Sequence, residues 1–137
     1  MKLTIGNVTL ENNLILAPMA GVTDLPFRLL CKEQGAGLLC TEMISAKAIH
    51  FKNKNTKSLM RILPEERPVS LQLFGSEPDL MAEIAAQIED EPFDILDINM
   101  GCPVWSYPFS ENKSSAAKRI LSFVFIFSIS FLQSSYS

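Results

Sequence analysis

A chain of 137 residues, 47% hydrophobic and 20% charged, has the composition of one ordinary globular domain, which excludes a disordered or fibrous polypeptide. Its net charge of −3 and pI near 5.1 exclude nucleic-acid binding through bulk positive charge, so only a local basic patch is left for that purpose. Cys31, Cys40 and Cys102 form no Cys-x-x-Cys pair and are odd in number, so neither a disulfide framework nor a zinc site is indicated and no metal is expected.

The N-terminus, Met-Lys-Leu-Thr-Ile-Gly-Asn, lacks the apolar region of a signal peptide, and the expected location is the cytoplasm. Residues Leu3–Asn13 alternate around Gly6-Asn7, which predicts a small β-hairpin. Leu14-Ile15-Leu16-Ala17 is a buried-strand run ending at Pro18-Met19-Ala20-Gly21. Thr23-Asp24-Leu25-Pro26 is then a helix-start signal, with Phe27, Leu30 and Cys31 as its apolar stripe and Gly35 and Gly37 as its stop. Leu38–Thr41 is a second short strand closing on Glu42-Met43.

Between Met43 and Arg67 the chain carries Lys47, Lys52, Lys54, Lys57, Arg61 and Arg67 against only Glu65 and Glu66, with His50 and Phe51 among them. An irregular loop and one short helix are expected there, and the ordinary reading of such a charge run is a solvated surface. Pro68–Phe74 is a third strand, ending at Gly75. Ser76-x-x-Asp79 has the form of a capping box with Pro78 in the first turn, and Leu80, Met81, Ile84, Ala85 and Ile88 line one face of the following helix. Ile95–Asn99 is a fourth strand, read as buried, so the first hundred residues alternate strand and helix in the manner of a parallel sheet with right-handed crossovers. Gly101 and Pro103 turn the chain after it and present the thiol of Cys102.

After Val104 the pattern changes. Residues 105–119 show no clear period, and Ile120–Leu132 is an uncharged run rich in phenylalanine. It is shorter than the ~20 apolar residues of a spanning helix, so no membrane association is expected, and it has the character of an aggregation-prone segment.

Ala17-Pro18-Met19-Ala20-Gly21-Val22-Thr23-Asp24, Leu71-Gln72-Leu73-Phe74-Gly75 and Asp97-Ile98-Asn99-Met100-Gly101-Cys102-Pro103 together resemble the tRNA-dihydrouridine synthase family, flavin enzymes that reduce selected uridines in tRNA. The resemblance covers about residues 1–104. It implies an α/β fold that is part of a TIM (β/α)8 barrel: the first four parallel strands with their helices, preceded by the hairpin. Residues 105–137 are then a divergent tail, read as an out-of-frame or mis-joined extension. Flavin mononucleotide (FMN) is the implied cofactor, with NADPH or NADH as reductant and tRNA as partner.

The residues suit those roles. Pro18, Met19 and Ala20 offer a turn without charge for a flat, partly apolar ring. Gln72 is an amide inside an apolar strand that needs partners, either the flavin edge or neighbouring backbone, and Asn99 fixes the strand end or contacts flavin or substrate. Reduction of the uracil 5,6 double bond takes a hydride from reduced flavin and a proton from an acid on the other side of the ring. In the family the cysteine of Gly-Cys-Pro is that acid, which makes Cys102 the catalytic candidate, while Cys31 and Cys40 are read as packing residues. Lys47, Lys52, Lys54 and Lys57 become candidate tRNA contacts.

The chain has Trp105-Ser106-Tyr107-Pro108-Phe109 where the family continues with a basic, glycine-containing loop. No positions match the family's later flavin-binding lysine and histidine, and the polypeptide as written is expected to hold flavin weakly. Two other readings stay open: another FMN-dependent barrel reductase acting on a small pyrimidine-like ring, and a non-catalytic remnant or interaction protein.

Overall fold

The computed structural model describes residues 2–99; the expectations for Cys102 and for residues 105–137 lie outside them. The hairpin forms as its sequence predicts. β1 (Thr4–Ile5) and β2 (Val8–Thr9) pair antiparallel, with Thr4 opposite Thr9 and Ile5 opposite Val8. Leu10, just after it, is fully buried. Asn12 ties this region to the chain ahead: its amide donates to the Gly35 carbonyl at 2.9 Å while its side-chain oxygen accepts from the Leu14 amide. A Cβ at position 37 would lie 2.7 Å from two Asn12 oxygens, so only glycine allows this approach.

The expected first strand, Leu14–Ala17, is reduced to a single parallel bridge between Ile15 and Leu38. Leu16 donates to the Leu38 carbonyl and the Leu14 carbonyl accepts from Gly37 and Leu38, which uses one flank of the segment. Leu14 is 60% exposed. An apolar run with pairing on one side and solvent on the other does not make the buried strand its composition suggests.

Helix α1 (Leu25–Glu33) starts where predicted, with Asp24 accepting from the Phe27 amide at 3.0 Å and Pro26 in the first turn. Its buried side chain is not one of the predicted stripe. Arg28 is 2% exposed, whereas Leu30 is 52% exposed. Apolar residues at helical spacing concealed the position at which a cation is drawn inward by specific partners.

The sheet is parallel and three-stranded: β3 (Leu39–Ser45), β4 (Val69–Phe74) and β5 (Ile95–Asn99), in that order. The second predicted strand is therefore longer than Leu38–Thr41. It carries a bulge, because Cys40 pairs with Ser70 and Met43 with Gln72, setting Thr41 and Glu42 against Leu71 alone. β4 and β5 run in unbroken register, Ser70 opposite Ile95 and Phe74 opposite Asn99. β5 is half-buried along its length, not buried as expected, since among the described residues it pairs only with β4.

Alternation separates the two faces. Val69, Leu71 and Leu73 are fully buried; Leu71 and Leu73 pack with Ile44, Ile49, Ile84 and Ile88, and Val69 packs with Leu39 and Ile62. Ser70, Gln72 and Phe74 point to the other face.

The segment from Met43 to Arg67 is more ordered than the loop and single helix expected. It contains α2 (Ala46–His50), α3 (Lys54–Leu59) and a 3₁₀ turn at Pro64–Glu66. Ser45 and Asn53 cap the two short helices, accepting from Ala48 and Asn55. Helix α4 (Pro78–Gln87) carries the predicted apolar face, with Ile84 buried and Ile88 just beyond it. The Ser76 capping box does not form; Glu77 occupies the cap position without a side-chain bond, and Pro78 at the first turn supplies the start. Among the described residues no helix is long and apolar enough to cross a membrane.

Two ion pairs lock the layers. Arg28 donates through Nε to Glu66 at 2.7 Å, and through its terminal nitrogens to the carbonyls of Thr23 and Arg61 at 2.9 and 2.8 Å. Glu66 accepts from the Leu63 amide as well, so both charges are buried and fully bonded. Arg67 pairs with Asp94, whose carboxylate also accepts from the Val69 amide at 2.8 Å and thereby joins the starts of β4 and β5.

Removing one member of the buried pair leaves a charge with no partner. Glu66→Ala is expected to lose roughly 3–5 kcal/mol in urea unfolding, and the Arg28→Met, Glu66→Leu double variant to lose clearly less than Glu66→Ala alone. Equal losses would show that the buried charge is not the cause. For Asp94, burial pushes its carboxyl up, but the hydrogen bonds from Arg67 and the Val69 amide, with the charges of Arg67 and Lys32, outweigh that and hold it below the usual range. A depressed carboxyl stabilises the fold above its unfolded value near 3.9, a contribution lost as pH falls through the folded value. Asp94→Asn is therefore expected to be less stable than the parent at pH 7, with the gap closing below about pH 4. A gap unchanged down to pH 2 would contradict this.

Candidate functional site

The face of the sheet opposite the helices is where polar side chains collect. Gln72 on β4 is 6% exposed, and its register partners are Met43 on β3 and Asp97 on β5. Its amide nitrogen donates to Asp97 at 2.5 Å, a charge-assisted bond. Because a carboxylate only accepts, this fixes which end of the amide faces Asp97 and turns the Gln72 oxygen towards Asn99, two residues further along β5, whose amide donates to it at 3.2 Å. The same Asn99 nitrogen lies 3.1 Å from the Met43 sulfur.

Gln72 and Asn99, singled out separately in the sequence, are thus in contact in the carboxyl-terminal halves of adjacent parallel strands. In α/β sheets this is the end at which ligands bind. Asp97, which orients them, is a residue that sequence reading passed over. The signal was available: a carboxylate inside an apolar strand needs a partner by the same argument that drew attention to Gln72.

Pro18, Met19 and Ala20 stand in a turn built around buried Thr23. The Thr23 hydroxyl accepts from the Met19 amide and donates to the Met19 carbonyl, both at 3.1 Å. Pro18 is half-buried, while Met19 and Ala20 are exposed. Gly21, at φ +72°, presents its amide to Glu42 at 2.5 Å, which ties the turn to β3. Next to Glu42 in the bulge, the Thr41 hydroxyl donates to the Glu42 carbonyl and accepts from the Gln72 backbone N–H at 3.1 Å. The turn is therefore linked through Glu42 and Thr41 to the backbone of β4 at Gln72, the residue that carries the amide cluster; the sequence had marked neither for this role, because a bulge has no reliable sequence sign. Cys102, the catalytic candidate, follows Asn99 by three positions and lies outside the described residues.

A cavity of about 460 Å³ opens beside this linkage, lined by Asp24, Pro26, Arg28, Glu42, Ser58 and Arg61 among others. It reaches Glu42 but not Gln72 or Asn99. Cys40 is buried on the amide side. Burial first, and then the charge of Asp97, pushes its thiol up to about 11, with a hydrogen bond from Ser70 pulling the other way. It behaves as the packing cysteine expected. Among the described residues no group of three or more His, Cys, Asp or Glu is placed to hold a metal.

The donor set can be tested against a flavin ring. Gln72 spends one of its two N–H groups on Asp97 and one of its oxygen lone pairs on Asn99, which leaves it one donor and one acceptor. Such a pair fits the edge of a flat heteroaromatic ring that carries both N–H and C=O groups. The exposed Met19 thioether and uncharged Ala20 fit its face.

A family profile described as dihydrouridine synthase matches residues 15–110. The chain belongs to the dihydrouridine synthase family. The match runs past Val104, where the resemblance of the motifs stops. Among curated relatives, the tRNA-dihydrouridine synthase B of Vibrio parahaemolyticus is 50% identical over 99 residues, covering 72% of this chain and 31% of the relative. The proteins of the same name from Vibrio cholerae and Pseudomonas aeruginosa are 48% and 46% identical over 99 and 101 residues, each over 72% of this chain and 31% and 30% of the relative. The chain thus spans under a third of the length of these relatives.

Thiol alkylation checks the placement of the cysteines. In the native protein at pH 8, Cys40 is expected to stay unmodified by iodoacetamide while half-buried Cys31 reacts, as read by peptide mass spectrometry. Asp97→Asn removes a charge that raises the Cys40 thiol, and is expected to speed its alkylation. Equal rates for Cys31 and Cys40 in the parent would show that Cys40 is not held in this face.

Proposed function

We propose that this chain is the amino-terminal part of a tRNA-dihydrouridine synthase, an FMN-dependent oxidoreductase of the cytoplasm that reduces the 5,6 double bond of uridine in tRNA with electrons from NADPH or NADH. Residues 1–104 are the first half of its TIM (β/α)8 barrel, and residues 105–137 are a segment outside that barrel. The strand order supports the barrel reading. Ile15, β3, β4 and β5 follow one another in chain order and in parallel, without the reversal that marks a doubly wound sheet.

The observation that carries the functional reading is the amide pair Gln72–Asn99, oriented by Asp97 in the carboxyl-terminal halves of two parallel strands. Gln72 and Asn99 would hold the polar edge of the flavin, and Pro18, Met19 and Ala20 its apolar face. Bound flavin supplies the hydride for one carbon of the uracil double bond. Cys102 holds the proton for the other: an ordinary thiol, with a pKa near 8.5, keeps its proton on Sγ at neutral pH and can yield it as a general acid. Asn99 ends β5, and Cys102 follows it by three positions in the sequence.

Quenching of FMN fluorescence by the 137-residue protein tests this. Weak but saturable binding is expected, weakened about tenfold by Gln72→Leu, as for loss of a hydrogen bond in a largely buried setting. Asn99→Ala should weaken it in the same direction, with circular dichroism reporting that both variants fold. Unsaturable quenching, or binding indifferent to both substitutions, would remove the flavin from this face.

A further inference from the structure

Phe51 is the most exposed of the large apolar side chains in the described part of the protein, at 76%. It stands at the elbow between α2 and α3, its ring edge-on to His50 at a centroid distance of 5.1 Å. Lys52 follows in the left-handed region at φ +52°, which reverses the chain before Asn53 caps α3. Residues 43–64 contain Lys47, Lys52, Lys54, Lys57 and Arg61 and no Asp or Glu, within a chain whose net charge is −3.

The ion pairs sort these cations. Lys47 is bound to Glu77 at 2.5 Å, and Arg67 beyond the segment is bound to Asp94. Lys52, Lys54 and Lys57 are exposed and make no ion pair among the described residues. What is left is a solvent-facing aromatic ring with three uncommitted ammonium groups close along the chain.

An aromatic platform flanked by cations binds single-stranded nucleic acid, since every base has a π-face to stack and every nucleotide a phosphate to pair. An anionic membrane is the other surface such groups fit. It needs an amphipathic helix long enough to lay down an apolar face, whereas α2 and α3 have five and six residues and the chain after Phe51 carries the polar, exposed Asn53, Asn55 and Ser58. Position also favours RNA. α2 begins directly after Ser45, which pairs with Phe74, which pairs with Asn99, so the elbow leaves the same end of the sheet as the amide cluster.

We propose that the elbow between α2 and α3 is a contact for an unpaired stretch of RNA, with Phe51 stacking on a base and Lys52, Lys54 and Lys57 taking the flanking phosphates. It rests on the reading of tRNA as substrate, and it narrows the candidate contacts of the basic segment by removing Lys47 and adding an aromatic residue.

Fluorescence anisotropy of labelled tRNA with the 137-residue protein, across a salt series, tests it. Phe51→Ala is expected to weaken binding about tenfold with the salt slope unchanged. The triple variant Lys52→Gln, Lys54→Gln, Lys57→Gln is expected to reduce the slope of log K against log salt by roughly two. All four side chains are exposed, so circular dichroism should match the parent. Parent-like RNA binding by both variants would overturn the proposal and leave the substrate reading standing. Absence of RNA binding by the parent at low salt would overturn it too, and FMN titration of the Gln72 and Asn99 variants then reports separately on the flavin site. Phe51-dependent binding to phosphatidylserine vesicles in preference to RNA would assign the surface to a membrane instead.

Discussion

Opposite Gln72, one strand over, stands Asp97, and the register that makes them partners governs the rest of the candidate site. In a strand, neighbouring side chains face opposite ways, so the same register that sends Leu71 and Leu73 into the helices sends Gln72 to the other side. A slip of one residue would place the amide among isoleucines and a leucine against the Asp97 carboxylate and the Asn99 amide. The apolar core and the polar cluster are therefore one constraint seen from two faces. Burial of aliphatic surface supplies the energy that holds the register, and the charge-assisted bond between Gln72 and Asp97 turns the amide so that its oxygen meets Asn99.

Anchors at the amino-terminal side of the sheet serve the same register from a distance. Asp94 bonds the Val69 amide with its carboxylate while its own amide donates to the Val69 carbonyl, so β4 and β5 are matched at the first residue pair and stay matched to Phe74 and Asn99. The Arg28–Glu66 pair acts between helices and loops, drawing Thr23, Arg61 and Leu63 to one point. Thr23 also holds the Met19 turn, so the buried arginine at the base of α1 and the exposed turn above it share a residue. A buried charge pair is a weak source of net stability, but it is intolerant of mispairing. Its contribution here is to fix where α1 begins relative to the basic segment.

Much of this was legible in the sequence, and the exceptions have physical causes. The hairpin, the start of α1, the core strand β4 and the apolar face of α4 follow from periodicity, turn residues and capping, all of which are local. Gln72 and Asn99 could be picked out because an amide in an apolar strand has few bland explanations. Arg28 could not, because its neighbours Phe27, Leu30 and Cys31 supply a credible stripe and only a partner 38 residues away explains the buried cation. Nor could Thr41 and Glu42, whose roles depend on a bulge defined by the opposite strand. The Leu14–Ala17 segment erred the other way: its composition describes a buried strand, but its pairing is a single bridge, and composition alone does not supply the neighbours that a buried strand requires.

Directionality explains why the candidate residues gather at one end. Parallel strands leave their chain exits on a common edge, and each described exit is followed by a segment free of the ladder: the Met19 turn after Ile15, α2 after β3, and Gly75 after β4. Those segments can vary while the strands beneath keep their register, so binding groups accumulate there and the opposite edge is given to anchoring pairs such as Arg67–Asp94. The division assigns different physics to the two ends. At the anchoring end, charges are paired and bonded to backbone; at the exit end, the Gln72 amide keeps spare hydrogen-bonding capacity and Lys52, Lys54 and Lys57, unlike Lys47, stand without carboxylates. A surface arranged only for stability would neutralise those lysines as it neutralises Lys47 and Arg67. That it leaves Lys52, Lys54 and Lys57 uncommitted beside an uncovered phenylalanine argues that this end of the sheet is completed by something anionic and flat.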